Sequence, residues 1–145
     1  MKLNLGAGAL QPAGYIHVDI APIPGVDVVH DLDVTPWPWA SNSAEEILGK
    51  DIFEHVVNPI TFMTECHRVL QPGGLLRLQT PHWRSETAFT DPTHRRFPTR
   101  FTWDYWIPDT ALYRSHNAAY GGVSFVRVRI VAGEQVNVEL RKPSP

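Results

Sequence analysis

Three short apolar runs stand close together near the start of the chain, and their spacing limits the fold more than any other feature. Leu3-Asn4-Leu5 leads into Gly6-Ala7-Gly8, Tyr15-Ile16-His17-Val18 ends at Asp19, and Val26-Asp27-Val28-Val29-His30 ends at Asp31-Leu32. Each run has the length and apolar content of a strand, and each stops on a glycine turn or a carboxylate. Only Ala9 to Gly14 separate the first glycine turn from the second run. A helical crossover between parallel strands normally takes a dozen or more residues. The first crossover helix is therefore expected to be shortened or missing.

The alternation continues downstream. Ala21-Pro22-Ile23-Pro24-Gly25 is too rich in proline and glycine to be helix interior. Pro36-Trp37-Pro38-Trp39 reads as a loop and Glu46-Ile47-Leu48 as the centre of a fourth strand. Asp51 to Val57 reads as a short helix. Asn58-Pro59 then has the form of an N-cap followed by proline at the first helical position. Phe62, Met63, Cys66, Val69 and Leu70 share one helical face, Pro72-Gly73-Gly74 ends that helix, and Leu75 to Thr80 make a fifth strand. Strands alternating with helices predict a parallel sheet. In the tail, Val126, Val128 and Ile130 alternate with Arg127 and Arg129, and Val136, Val138 and Leu140 with Asn137 and Glu139. With Ala132-Gly133 between them, this predicts an antiparallel hairpin at the sheet edge. Residues 81–98 read as irregular and Thr99 to Trp106 as a short helix.

The chain has 145 residues, 43% of them hydrophobic and 19% charged, which fits one soluble domain over 1–145. The lone Cys66 excludes an intramolecular disulfide and an all-cysteine metal site. No apolar stretch approaches ~20 residues, and the first residues read as core strand rather than signal peptide. A cytoplasmic protein without membrane contact is expected. Charge is divided unevenly. Residues 1–70 carry nine acidic and three basic residues, and residues 71–145 carry six and ten. The basic half would suit an anionic partner, or it is a set of solvated arginines on strands and loops.

Gly6-Ala7-Gly8 lets main chain approach a ligand where a side chain would block it. A carboxylate at Asp19 can accept both hydroxyls of a ribose, and Asp31 with Leu32 can receive an adenine. Three successive strand ends of this kind favour a nucleoside site on an open α/β sheet.

These motifs resemble the class I S-adenosylmethionine-dependent methyltransferases, in particular a small subgroup opening with Leu-Asn-Leu-Gly-Cys-Gly. Gly14-Tyr15-Ile16-His17-Val18-Asp19 is similar to that family's second strand. Asn42 to Ile47 and Ile52-Phe53-Glu54-His55-Val56 resemble its fourth strand and the Leu-Glu-His that follows. Glu65-Cys66-His67-Arg68-Val69-Leu70-Gln71-Pro72-Gly73-Gly74 is similar to the family's Glu-x-x-Arg-Val-Leu-Lys-Pro-Gly-Gly, the most specific motif in the chain. Asp91-Pro92-Thr93-His94-Arg95-Arg96-Phe97 is similar to a segment common in the small members. The resemblance runs from Leu3 to about Thr80 and is looser beyond. Asn4 stands where most class I members have an acidic residue, and Ala7 replaces the usual cysteine.

The resemblance implies a Rossmann-like, seven-stranded, mostly parallel sheet with an antiparallel C-terminal hairpin. S-adenosyl-L-methionine would contact Leu5, Gly6, Ala7, Gly8, Asp19, Asp31 and Leu32, with Lys50 and Asp51 completing the pocket. Methyl transfer needs mainly in-line alignment, and a base only when the acceptor is a hydroxyl or protonated amine. His82, just past the fifth strand, is the first candidate for that base, followed by His55 and His94. The fourth strand ends Gly49-Lys50-Asp51-Ile52. It lacks the Asn/Asp-Pro-Pro-aromatic motif of amino-group nucleic-acid methyltransferases, which counts against a DNA amino-methylating enzyme, though nucleic acid is not otherwise excluded as acceptor. None of the seven histidines shows a chelating interval, so no metal is expected.

Trp83, Trp103, Tyr105 and Trp106, interleaved with Arg84, Arg95, Arg96 and Arg100, would stack on an anionic nucleotide or form a satellite core. Residues 82–106 are expected to cap the acceptor side. The acceptor itself is not identified, and the exposed terminal strand leaves room for a homodimer. Two rivals stand beside methyl transfer: a non-catalytic nucleoside-binding or interaction module, and a nicotinamide-dependent oxidoreductase. The second would want a third glycine where Ala9-Leu10-Gln11 follows Gly8.

Overall fold

A computed structural model describes residues 1–145. Strands β1 (Lys2–Leu5), β2 (Ile16–Asp19), β3 (Val28–Val29), β4 (Ala44–Lys50) and β5 (Leu70–Pro81) lie parallel. Strands β6 (Val126–Ala132) and β7 (Gln135–Arg141) form the C-terminal hairpin, and β7 joins β5 antiparallel. The seven-stranded order is β3-β2-β1-β4-β5-β7-β6, the mostly parallel Rossmann-like arrangement. No helix lies between β1 and β2, between β2 and β3, or between β3 and β4. The six-residue gap read from the sequence is thus one of three trimmed crossovers. The one long helix is α1 (Pro59–Val69), between β4 and β5. No helix is long and apolar enough to cross a membrane.

One face of the sheet carries the core. Strand alternation turns Leu3, Leu5, Val18, Ile47, Leu76, Leu78, Val138 and Leu140 to the same side. There they join Phe62, Met63, Cys66 and Val69 of α1 in one apolar cluster. Trp103, Trp106, Ile107 and Phe125 extend that cluster over the hairpin end. The other face has no helix upon it and is polar. Glu46 gathers the Tyr15 hydroxyl at 2.7 Å, Lys2 at 3.2 Å and Arg77 at 3.4 Å. Burial and the Glu46 carboxylate push the Tyr15 hydroxyl up to about 12, so it stays a donor at neutral pH. Parallel sheets are ordinarily covered on both faces. Here cross-strand charge and hydrogen bonds stand in for the second layer.

Asn58 caps α1 as its residue type suggests: Oδ1 accepts the N–H of Ile60 at 3.0 Å and of Thr61 at 3.1 Å. Asn58→Ala should lower stability by about 1 kcal/mol, measured by urea unfolding.

Several local expectations are corrected. Residues 51–57 form turns, not a helix. Asp51 is left-handed at φ +50, and the proline at position 59 holds Asn58 extended, which leaves too few residues to nucleate a helix. Strand β3 is two residues long, because Val26 closes a turn onto Ile23 instead of entering the ladder. Pro72-Gly73-Gly74 lies within β5, which begins directly at the end of α1. The register of β6 shifts between Arg127 and Arg129. That bulge places Val126 opposite Arg141 and Ile130 opposite Val138, so the valines and isoleucine do not share a face. Residues 102–106 form a 3-10 turn (Thr102–Trp106), and the short helices α2 (Thr87–Thr90) and α3 (Ala111–His116) were not legible in the sequence.

Candidate functional site

A cavity of about 270 Å³ opens at the carboxyl ends of β1, β2, β3 and β4. It lies beside the point where neighbours change from β1/β2 to β1/β4, the place where open α/β sheets leave a crevice. Its walls are Gly6 after β1, Asp19 and Ile20 after β2, His30 to Asp33 after β3, and Asp51, Ile52, His55 and Val56 after β4.

Gly6 sits at φ +62, and a Cβ there would meet the Ile52 side chain at 2.7 Å. Glycine is required both by the backbone and by that close approach. Asp19 is fixed from behind: its Oδ2 accepts the Gly8 N–H at 2.9 Å and its Oδ1 the Ala21 N–H at 3.0 Å. Asp31 Oδ1 accepts the Asp33 N–H at 2.9 Å, and Asp33 Oδ1 accepts the Val57 N–H at 2.7 Å, joining two walls of the cavity.

The strongest motif of the sequence proves to be a strut for this site. Glu65 Oε2 accepts the Trp37 N–H at 2.7 Å, and Arg68 donates to Glu65 Oε1 at 2.7 Å, to Trp39 O at 2.8 Å and to Trp37 O at 3.2 Å. Trp37 in turn donates its indole N–H to Leu32 O at 3.0 Å. The Arg68 guanidinium holds the Glu65 carboxyl below the usual range. The Glu-x-x-Arg pair thereby pins the Trp loop and, through it, the residue beside Asp31.

Of the residues singled out in the sequence, Gly6, Asp19, Asp31, Leu32, Asp51 and His55 meet in this cavity. Leu5 and Ala7 lie buried behind it, and Gly8 acts on it through Asp19. Lys50 is exposed and borders a separate hollow with Leu48, Arg77 and Gln79 on the polar face. His82 lies past the end of β5, where its N–H donates to Glu134 O at 3.0 Å and its Nδ1 accepts from Arg84 N–H at 3.4 Å. It is not among the cavity walls. Ile20, His30, Asp33, Ile52 and Val56 are wall residues that sequence reasoning missed, because they sit on irregular connections with no periodicity to reveal them.

Residues 91–97 pack against the 53–57 turn, whose His55 and Val56 border the cavity. Arg95 N–H donates to Glu54 O at 2.9 Å. Arg96 donates to the carbonyls of Phe53 at 3.0 Å and Val57 at 3.1 Å, and to that of Val56. Three carbonyls on one guanidinium tie the 53–57 turn to the 91–97 segment. Arg96→Met should lower stability by about 1.5–3 kcal/mol in thermal unfolding, and Arg96→Lys should not restore it. A single ammonium cannot span the three acceptors.

This pairing also brings His94 to His55, with ring centroids 4.7 Å apart, and places His94 Nε2 4.0 Å from Glu54 Oε1. Glu54 is 1% exposed and neither carboxyl oxygen has a hydrogen-bond partner. Burial pushes its carboxyl above the usual range, and burial with the nearby His94 pushes His55 below its own.

Residues 5–78 match the family described as "Methyltransferase domain". Every wall residue of the cavity falls within that stretch. A Mycolicibacterium smegmatis protein named "Probable S-adenosylmethionine-dependent methyltransferase" is 33% identical over 78 residues, 53% of this chain and 30% of that protein. A ubiquinone biosynthesis O-methyltransferase of Maricaulis maris is 42% identical over 43 residues, 30% of this chain and 16% of that protein. The chain thus spans less than a third of the length of the curated relatives it matches. Among solved structures, a SAM-dependent methyltransferase from Aquifex aeolicus superposes with TM-score 0.63 at 13% identity, over 97% of this chain and 80% of that one. The cyclase SpnF gives TM-score 0.68 at 15% identity, over 99% and 74%. With a family match covering half of its length and carrying the whole cavity, the chain belongs to the class I S-adenosylmethionine-dependent methyltransferase family.

Proposed function

We propose that this chain binds S-adenosyl-L-methionine in the cavity at the ends of β1 to β4 and transfers the methyl group to an acceptor lying beneath residues 82–106. The observation that carries the proposal is the meeting of Gly6, Asp19, Asp31 and Leu32 around one cavity. The donor chemistry fits. Four carboxylates, Asp19, Asp31, Asp33 and Asp51, line the walls beside Ile20, Leu32, Ile52 and Val56, with no lysine or arginine among them. Such walls suit a ligand bearing hydroxyls, amino groups and positive charge on an apolar body. They repel a pyrophosphate, and the missing first crossover helix withdraws the N-terminal dipole that would otherwise receive one. That argues against the nicotinamide alternative.

In this reading Asp19, held from behind by Gly8 and Ala21, keeps its outward lone pairs for the two ribose hydroxyls. Asp31 and Leu32 take the adenine, and the bare main chain at Gly6 with Asp51 and Ile52 takes the amino-acid end. When bound, S-adenosylmethionine supplies an electrophilic methyl group on a positively charged sulfur. What the chain must add is alignment of the acceptor in line with that methyl. The packing of residues 91–97 onto the 53–57 turn supports residues 82–106 as the cap over the acceptor. The exposed Arg84, Arg95 and Arg100 on that segment suit an anionic acceptor. Of the candidate bases, His55 borders the cavity and His82 does not.

A second reading keeps nucleoside binding without transfer. Three trimmed crossovers favour it, and the likeness to the cyclase SpnF is a reminder that this fold hosts more than one chemistry. Titration calorimetry with S-adenosylhomocysteine tests both, and no heat at millimolar ligand would overturn them together. Binding without label transfer to hydroxyl, amine, carboxyl or nucleic-acid acceptors would select the second.

A further inference from the structure

We propose that Glu54, His55 and His94 form a mononuclear site for a divalent transition metal of the zinc class, at the edge of the cavity, with one coordination position left for water or an acceptor atom. One ligand atom from each of the three lies within 4.8 Å of the other two. Two imidazoles and one carboxylate are the ligand types zinc takes, and three protein ligands leave the fourth tetrahedral position open. Ligands about 2.1 Å from a tetrahedral ion stand about 3.4 Å apart, so each group has only to draw inward by a fraction of a side chain's reach.

The supporting bonds around the two rings are those that orient metal-bound histidines. A carbonyl can only accept, so the 2.7 Å contact between His94 Nδ1 and Ala88 O places the proton on Nδ1. Thr93 Oγ1 donates to Asp91 Oδ1 at 2.7 Å, so in its 2.9 Å contact with His55 it accepts from Nδ1–H. Both rings therefore keep Nε2 as a bare lone pair, each backed by a hydrogen bond at the opposite nitrogen. Glu54 is an independent pointer. A carboxylate with 1% exposure and no hydrogen-bond partner is costly to bury, and coordination removes that cost. The ligands stand 39 residues apart in sequence, which is why no chelating interval is visible; the Arg95-to-Glu54 and Arg96-to-Phe53 bonds bring them together. The site requires nothing of the cofactor, so it stands or falls separately from methyl transfer.

The test uses the full chain stripped with a chelator, with Zn²⁺ titrated in competition against a chromophoric chelator. One equivalent should bind at micromolar concentration. Glu54→Gln and His94→Ala should each weaken binding at least tenfold, and Thr93→Val, which removes only the support behind His55, by about tenfold. His116→Ala, on an exposed histidine elsewhere, should leave the affinity unchanged. Co²⁺ should show a visible ligand-field band in the parent chain that His94→Ala abolishes. If Glu54→Gln does not fold, His94→Ala on its surface loop still decides. No zinc bound at micromolar concentration, or an affinity indifferent to Glu54→Gln and His94→Ala, would overturn the site.

Discussion

Asp19→Ala should weaken S-adenosylhomocysteine binding by between tenfold and a few hundredfold. The carboxylate would accept hydrogen bonds from two hydroxyls, and a bond to a charged group contributes about 1.5–3 kcal/mol, where tenfold in affinity is about 1.4 kcal/mol. The protein has already oriented this group: the Gly8 and Ala21 N–H bonds hold it in place before any ligand arrives. Asp19→Asn is the informative companion. It keeps the size of the side chain but turns one acceptor into a donor, which would face the Gly8 N–H or a ribose hydroxyl. It should therefore bind nearly as poorly as the alanine variant while unfolding closer to the parent. Calorimetry gives the affinity and thermal unfolding the fold. An unchanged affinity in both variants would remove Asp19 from the binding site.

The second large effect concerns stability. Trp103→Ala should cost about 3–5 kcal/mol, a large share of the roughly 5–15 kcal/mol by which a domain is stable. Trp103 is fully buried, and its ring lies 4.6 Å from that of Phe53, whose carbonyl is held by Arg96. The tryptophan therefore ties the 3-10 turn at 102–106 to the turn bordering the cavity. Its indole N–H has no partner. Trp103→Phe should then cost less than about 1.5 kcal/mol, since the lost ring takes with it an unpaired donor whose burial costs about 1–3 kcal/mol. Urea unfolding of the two variants separates packing from polarity. A small loss for alanine would mean that residues 99–125 rest on the core without belonging to it.

Much of the frame was legible in the sequence because it rests on short-range rules. The glycine turn after β1, the Asn58-Pro59 helix start and the alternation of the C-terminal strands each announce themselves within a few residues. The brevity of the first crossover was a matter of counting. The 51–57 stretch was misread because its apolar residues, Ile52, Phe53 and Val56, mimic helical spacing while in fact packing into the core from turns beyond the carboxyl end of β4. Val126, Val128 and Ile130 were misread because a one-residue bulge reverses a strand's faces and leaves no mark on the pattern. The Glu65-Arg68 motif could be recognised by resemblance, but nothing local shows that it braces Trp37 and Leu32.

From sequence alone came the order of the strands' ends: a bare glycine turn, then two carboxylates, each where a strand must stop, because dihedral preference and hydrophobic period act over a handful of residues. Tertiary structure alone decided which of those groups face one cavity, that Lys50 and His82 lie away from it, and that Glu54, His55 and His94 meet. Those outcomes depend on the register of neighbouring strands and on a guanidinium clasping carbonyls some 40 residues away in the chain. Contacts at that separation are selected by the burial of the whole core, and no local pattern encodes them.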